Sequence, residues 1–485
     1  MATNYHRLHR TRGHPLQWPV DARQRDIDHT VIGHASRVGN DTAFGHDVSS
    51  GTHQRIASVD ALRGLVVLLL IPDVYGGFSF YEMSRRHPDD PVWGALAAQF
   101  THVPWQGLSL WDMVMPAFVL LVGVSMALSI DRRLRDGVPR GELVAHALLR
   151  SLMLIVLGLL IQMPRDTVGR ELLPYVVLAC ALPWSRWLER WTGRQSEARD
   201  RVVGLLAPAL VVCTLLGWLA SDPTRLGNYD FTQILTQMGL AYLPAFALMG
   251  RGVRTPLIAA LSVLAAYGIA FVAYTPAADL PVRGEVLTGL ASHWNNGNNL
   301  AVAVDQWLFA TLPRGHPYID DAHGYHTIEF IPLVAVMLIG VAAGRLAMEP
   351  TRRIWPVAQL AIGALAIGLV LMLLNTPLVK SLWTPSWTLV SAGLVLVALC
   401  SSMALFDAPG RAWLAYPLTV LGANALLLYV VTNVHRWRVV LLAQRLLGDA
   451  LTESAYRPLL ESLCALAVFW AAAALLDRWR VHLRL

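Results

Sequence analysis

Charge is scarce in this chain. Asp, Glu, Lys and Arg account for 15% of its 485 residues, against roughly 25% in an average soluble domain. Cysteine is scarcer still. The four present, Cys180, Cys213, Cys400 and Cys464, all fall inside apolar stretches with no CxxC spacing, which excludes a disulfide framework and a thiolate metal site and leaves them as small packing residues. The N-terminal region has no uninterrupted apolar segment ending in a small-residue cleavage site, so a secretory signal peptide is not expected. There is no convincing internal repeat of the kind built into many transporters, and no soluble domain. Hydrophobic residues fill the remaining space, at 55% of the chain with a mean hydropathy of +0.46. That composition belongs to a polytopic membrane protein whose first partner is the lipid bilayer. The net charge of +6 and pI near 9.3 do not indicate nucleic acid, because the arginines sit mainly in short loops between apolar runs, where they set topology.

Residues 1–55 differ from everything that follows. They mix Arg, Asp, Gly and Ser with seven of the sixteen histidines (His6, His9, His14, His29, His34, His46 and His53) and show no apolar periodicity. The expectation is a disordered cytoplasmic tail. The irregular histidine spacing does not amount to a metal site. Residues 56–485 then form the membrane domain, expected as an all-α helix bundle of about twelve spans at 62–80, 108–130, 143–163, 170–184, 202–220, 231–250, 254–274, 327–346, 356–374, 387–405, 417–434 and 459–477. The fourth, short and carrying Pro174, could join the fifth in a re-entrant hairpin, which lowers the count to ten. Arginines concentrate at 132–140, 186–201, 251–254, 345–353 and 478–484, in alternate loops, so those loops and both termini are expected in the cytoplasm. The segments 81–107, 275–326 and 375–386 then face outward together and suggest an external polar cavity.

Two spans carry acid where it is expensive. Gln99-Phe-Thr-His-Val-Pro-Trp-Gln-Gly-Leu-Ser-Leu-Trp-Asp112 puts the imidazole of His102 at the mouth of a span and Asp112 about one turn inside it. In the first span Asp60 and Arg63 share a face at the inner end. Asp73 follows ten residues beyond Arg63, about 15 Å along the axis, next to Pro72 and Gly76-Gly77, whose backbone groups need protein or water beside them. Intramembrane carboxylates imply function by default. A packing role for Asp112 and an interfacial belt role for His102 are the plainer alternatives. Which carboxylate orients the histidine is left open.

Ala57-Ser-Val-Asp-Ala-Leu-Arg-Gly-Leu65, His102-Val-Pro-Trp-Gln-Gly-Leu-Ser-Leu-Trp-Asp-Met-Val-Met-Pro116 and Phe118-Val-Leu-Leu-Val-Gly-Val-Ser125 resemble the transmembrane acyltransferase family of heparan-α-glucosaminide N-acetyltransferase and its bacterial relatives. Further blocks run in the same order: 232–242, 292–298, 324–332, 380–387 and 422–429. Residues 166–226 resemble an inserted hairpin. The resemblance implies transfer of an acetyl group from cytoplasmic acetyl-CoA to an amine or hydroxyl of a sugar or glycan across a bacterial-type inner membrane, with the position of His102 catalytic. One departure is visible: the family's glucosaminide enzyme has an asparagine before its first-span glycines, where this chain has Val74 beside Asp73.

An imidazole with an unperturbed pKa near about 6.5 suits a general base that deprotonates such an acceptor, with Asp112 or Asp73 as its carboxylate. An acetylated His102 is the alternative mechanism. Asn424, or the indole and amides of His293, Trp294 and Asn295, could donate to the developing oxyanion. Trp105, Gln106, His293, Trp294, Asn295, Asn298 and Asp305, together with Lys380, Trp383 and Ser386, supply the aromatic faces and polar groups that sugar recognition uses, or else brace loops. Arg63 and Arg150 are the cations expected to meet the CoA phosphates. No metal is expected, and a homodimer is compatible with the sequence. A proton-coupled transporter of a sugar or small molecule, relaying through Asp73, Asp112 and His102, is the second functional reading.

Overall fold

The computed structural model describes residues 57–72, 77–163, 169–179, 212–213, 215–217, 229–277, 280–312, 318, 324–348 and 354–482. Fourteen helices are named here: α1 (Ala57–Leu70), α2 (Phe80–Arg86), α3 (Pro91–Phe100), α4 (Val114–Arg135), α5 (Arg140–Ile161), α6 (Ile234–Phe246), α7 (Arg254–Ala273), α8 (Leu300–Thr311), α9 (Phe330–Ala347), α10 (Ile354–Leu373), α11 (Pro385–Phe406), α12 (Tyr416–Ala423), α13 (Ala425–Leu447) and α14 (Arg457–Arg478). Among the described residues there is no strand, only an isolated bridge between Gln106 and Val379, and eight helices are long and apolar enough to cross a bilayer. The protein is an all-α, polytopic, integral membrane bundle.

Several boundaries differ from the sequence expectation. The first span does not run through 62–80: α1 starts at Ala57 and stops at Leu70, because Pro72 disfavours helical geometry in the residue before it and ends the hydrogen-bond ladder. The segment 231–250 yields a helix of 13 residues, too short to cross alone. The segment 417–434 is two helices, broken at Asn424, the second continuing to Leu447. Between 280 and 312 lie a 3-10 turn, Gly289–Trp294, and α8. The tail 1–55, most of 166–226 and Asp73 lie outside the described residues.

Small residues set the close contacts. A Cβ on Gly123 would lie 2.1 Å from the Met337 carbonyl oxygen and one on Gly340 2.2 Å from that of Leu120, so α4 and α9 run parallel in backbone contact. Gly64 and Gly422 join α1 to α12 in the same way. The ion pair of Arg345 Nε and Nη2 with Asp131 (2.6 and 3.0 Å) closes the far end of the α4–α9 seam. Apolar all round, α9 belongs in the core: the span that contains it is 78% buried, against 22% for α10, whose outer face is left for lipid.

Candidate active site

The sequence around Asp112 explains how its carboxylate is held. Ser109-Leu-Trp-Asp112 forms a capping box at the start of the helix: Asp112 N donates to Ser109 Oγ (3.3 Å), while Oδ2 accepts from Ser109 N (3.2 Å) and lies 2.9 Å from Ser109 Oγ. The other oxygen is thereby directed away from its own turn. Oδ1 meets His102 Nδ1 at 2.7 Å and Lys380 Nζ at 3.1 Å. Asp112 is fully buried, the Lys380 side chain is 7% exposed and that of His102 43%. A carboxylate taken wholly out of water needs such partners, because its desolvation is otherwise uncompensated.

Three short contacts form a triangle, since Lys380 Nζ also lies 2.8 Å from His102 Nδ1. One ring nitrogen cannot both donate to the carboxylate and accept from the ammonium. The carboxylate, which can only accept, selects the tautomer with hydrogen on Nδ1, and Lys380 then donates to Oδ1 as well. That tautomer places the imidazole lone pair on Nε2. Lys380 also donates to the Tyr325 hydroxyl (3.0 Å) and lies over its ring. Burial pushes the Tyr325 phenol above its usual range, with the Lys380 ammonium pulling the other way, so it keeps its proton at neutral pH.

The segments 81–107, 275–326 and 375–386 meet here. Gly107 N donates to the Leu378 carbonyl (2.9 Å), Trp105 Nε1 to that of Trp294 (3.1 Å), and Gln106 Nε2 to Glu285 (3.2 Å). Beneath Tyr325 lies a second polar group. Asp305 accepts from Thr327 N (3.1 Å) and pairs with His326 Nδ1 (3.0 Å), Glu329 accepts from His326 N, and Gln237 Nε2 donates to the His326 and Thr327 carbonyls. Three side chains, Asp305, Glu329 and Gln237, therefore clamp one dipeptide beside Tyr325.

The structure thus brings His102, Asp112 and Lys380 into direct contact and sets Trp105 and Gln106 on the same loop. Other candidates have local duties. The Asn295 amide donates to the Leu287 carbonyl (3.2 Å), and that of Asn298 to the Ala277 and Leu280 carbonyls. His293 Nδ1 lies 3.1 Å from the Tyr274 carbonyl, and Trp294 stacks on Phe271. Asp305 belongs to the clamp, and Ser386 donates to the Pro377 carbonyl. Trp383 is wholly buried. The Asn424 amide donates to the Val481 carbonyl. Arg63 pairs with Asp60 and donates to Ser125 Oγ, whereas Arg150 lies over the Tyr242 ring with its Nε buried and without an acceptor. Among the described residues, no group of three or more His, Cys, Asp or Glu is arranged to hold a metal.

Tyr325 and Ser109 were not anticipated as site residues. The Ser-x-x-Asp spacing before an apolar run was the available signal for Ser109. Tyr325 lies inside the 324–332 block, but nothing in that block reveals that its hydroxyl reaches Lys380.

Fold and site together define a multi-pass membrane protein with a half-exposed imidazole backed by a buried carboxylate and ammonium. No family model matches the chain. It is similar to heparan-alpha-glucosaminide N-acetyltransferase of Homo sapiens, 30% identical over 115 residues, which is 24% of this chain and 15% of that protein. The Mus musculus protein of that name is 27% identical over 152 residues, 31% of this chain and 21% of its own length. The matched stretches are well short of two thirds of either relative. The family resemblance seen in the sequence blocks is borne out by these matches.

Proposed function

We propose that this protein is an integral-membrane acetyltransferase of a bacterial-type inner membrane, with both termini in the cytoplasm. In this reading it moves an acetyl group from acetyl-CoA on the inner side to an amine or hydroxyl of a sugar or glycan on the outer side. The observation that carries the reading is the 2.7 Å contact of His102 Nδ1 with Asp112, which directs the Nε2 lone pair away from the buried carboxylate on a ring that stays 43% exposed. As the acceptor attacks the thioester carbonyl, Nε2 takes its proton; as the carbon–sulfur bond breaks, the imidazolium returns that proton to the departing thiolate. Asp112 holds the tautomer throughout, and Lys380 balances the carboxylate charge. No covalent enzyme intermediate is required. Arg150, with an unpartnered Nε and no carboxylate bonded to it among the described residues, is suited to a phosphate of the donor. Arg63 is engaged by Asp60.

Incubation of the purified protein with acetyl-CoA and a panel of amino sugars, with free thiol as the readout, tests this. Thiol release should require an acceptor and should fall by about 10²–10⁴ in His102→Ala, the range a positioned general base supplies. Acceptor-dependent release that survives this substitution would refute the assignment.

A further inference from the structure

The turn that carries Lys380 is braced at nearly every polar atom. Thr384 Oγ1 and Ser386 Oγ both donate to the Pro377 carbonyl (2.7 and 2.8 Å). Thr388 Oγ1 donates to the Trp383 carbonyl (2.9 Å), Tyr267 Oη to the Leu382 carbonyl (2.9 Å) and Val379 N to Thr384 Oγ1 (3.2 Å). Two donors in this segment are exceptions. The indole N–H groups of Trp383 and Trp387 are buried without an acceptor, on side chains that are 0% exposed. Their rings meet edge to face at 4.8 Å. Trp383 also has φ 45° and ψ 49°, the left-handed region that a bulky side chain occupies only when its surroundings force it, as they do at functional sites. A buried donor without a partner loses its hydration for nothing in return. Two such donors four residues apart, in a segment whose Thr384, Ser386 and Thr388 hydroxyls are all bonded, indicate a ligand that brings the acceptors.

We infer that the Trp383 and Trp387 indoles hydrogen-bond carbonyl oxygens on the amide-bearing pantetheine arm of the acyl thioester. This rests on the acyltransferase reading. The chemistry selects the class. An indole N–H can only donate, and both tryptophans belong to the same apolar cluster as Trp111, Leu333 and Leu389. A slender, neutral, largely apolar chain punctuated by carbonyls suits that setting, whereas an anion there would lack a counter-charge and a trapped water would want two to four polar partners. Position agrees with this choice. Trp387 lies in the first turn of α11, which leads away from Lys380 towards the end where Asp407 accepts from Ser58 at the start of α1. Trp387 therefore lies on the inner side of the Lys380–His102 contact, on the approach of a cytoplasmic thioester, with the Trp383 ring against it.

The test is the affinity of the full-length protein for two probes, acetyl-CoA and S-acetylpantetheine, which share the arm but not the nucleotide. Trp383→Phe and Trp387→Phe remove the N–H. Incorporation of benzothienylalanine at either position removes it while keeping the bicyclic volume, so loss of packing is separated from loss of the donor. Each deletion should weaken binding by on the order of fivefold, by the same factor for both probes, with the melting temperature of the isosteric variants unchanged. Unchanged affinity in the isosteric variants overturns the inference and leaves the acyltransferase reading standing. A wild-type protein that binds neither probe removes both.

Discussion

Replacing Asp112 by asparagine perturbs the site with no change of volume. The wild-type carboxylate accepts from His102 Nδ1, Lys380 Nζ and Ser109 N, and lies 2.9 Å from Ser109 Oγ. If the new amide keeps its oxygen towards His102 and Lys380, its NH2 faces the Ser109 N–H, donor against donor. If it turns over, the NH2 faces the ammonium. Either way Lys380, whose side chain is 7% exposed, loses the charge that balances its own. Breaking a buried pair by neutralising one partner costs about 3–5 kcal/mol, and losing control of the imidazole tautomer costs up to about 10⁴ in kcat in the best-studied His–carboxylate pair. Asp112→Asn should therefore show both a lower melting temperature in detergent and a drop of at least about 10² in acceptor-dependent thiol release. The double substitution Asp112→Asn with Lys380→Met separates the two effects. With the orphaned ammonium gone, much of the stability should return, while activity stays lost because a neutral amide neither enforces Nδ1–H nor stabilises the imidazolium that forms as the base takes its proton. Activity of Asp112→Asn within a few-fold of wild type, or recovery of activity in the double variant, would refute the role given to this carboxylate.

Two further outcomes follow from other parts of the fold. The folded-state pKa of Tyr325 is raised by burial, so its contribution to stability is fully present below about pH 10, the ordinary phenol value; it is lost as pH rises through the higher folded value, because the unfolded chain releases that proton first. Thermal melts between about pH 8 and 11 should then show a shallower alkaline decline for Tyr325→Phe than for wild type, and equal slopes would count against burial as the cause. In the α4–α9 seam, Gly340→Val puts a Cβ 2.2 Å from a backbone oxygen and should cost at least about 1–3 kcal/mol in melts, whereas Gly363→Ala on α10, where a Cβ meets nothing within 4 Å, should be neutral or slightly stabilising.

Bundle architecture was legible in the sequence because it depends on composition over lengths of about 20 residues; the end of α1 at Leu70 was signalled locally by Pro72, yet the span was expected to continue to residue 80. The break at Asn424 had no such signal, since neither proline nor a polar run marks it. His102 and Asp112 stood out for the same reason that they are useful: ionisable groups at the edge of hydrocarbon need partners. Their pairing, ten residues apart, lay within reach of a local reading.

Lys380 is 278 residues from His102. Its own motif supports an interfacial anchor as well as a site residue, and contacts made in the folded chain, the bridge between Gln106 and Val379 among them, bring the two loops to one place. The asparagines at 295 and 298 show the reverse difficulty. A side-chain amide that binds a hydroxyl and one that holds a main-chain carbonyl are the same group at the same spacing, and here the donors of both residues hold their own segment together. An apolar background makes one member of a buried pair conspicuous. The other member, set in a polar loop that folds over the first, looks like any loop residue, so the carboxylate can be read from the chain while its ammonium partner becomes evident only when the bundle closes.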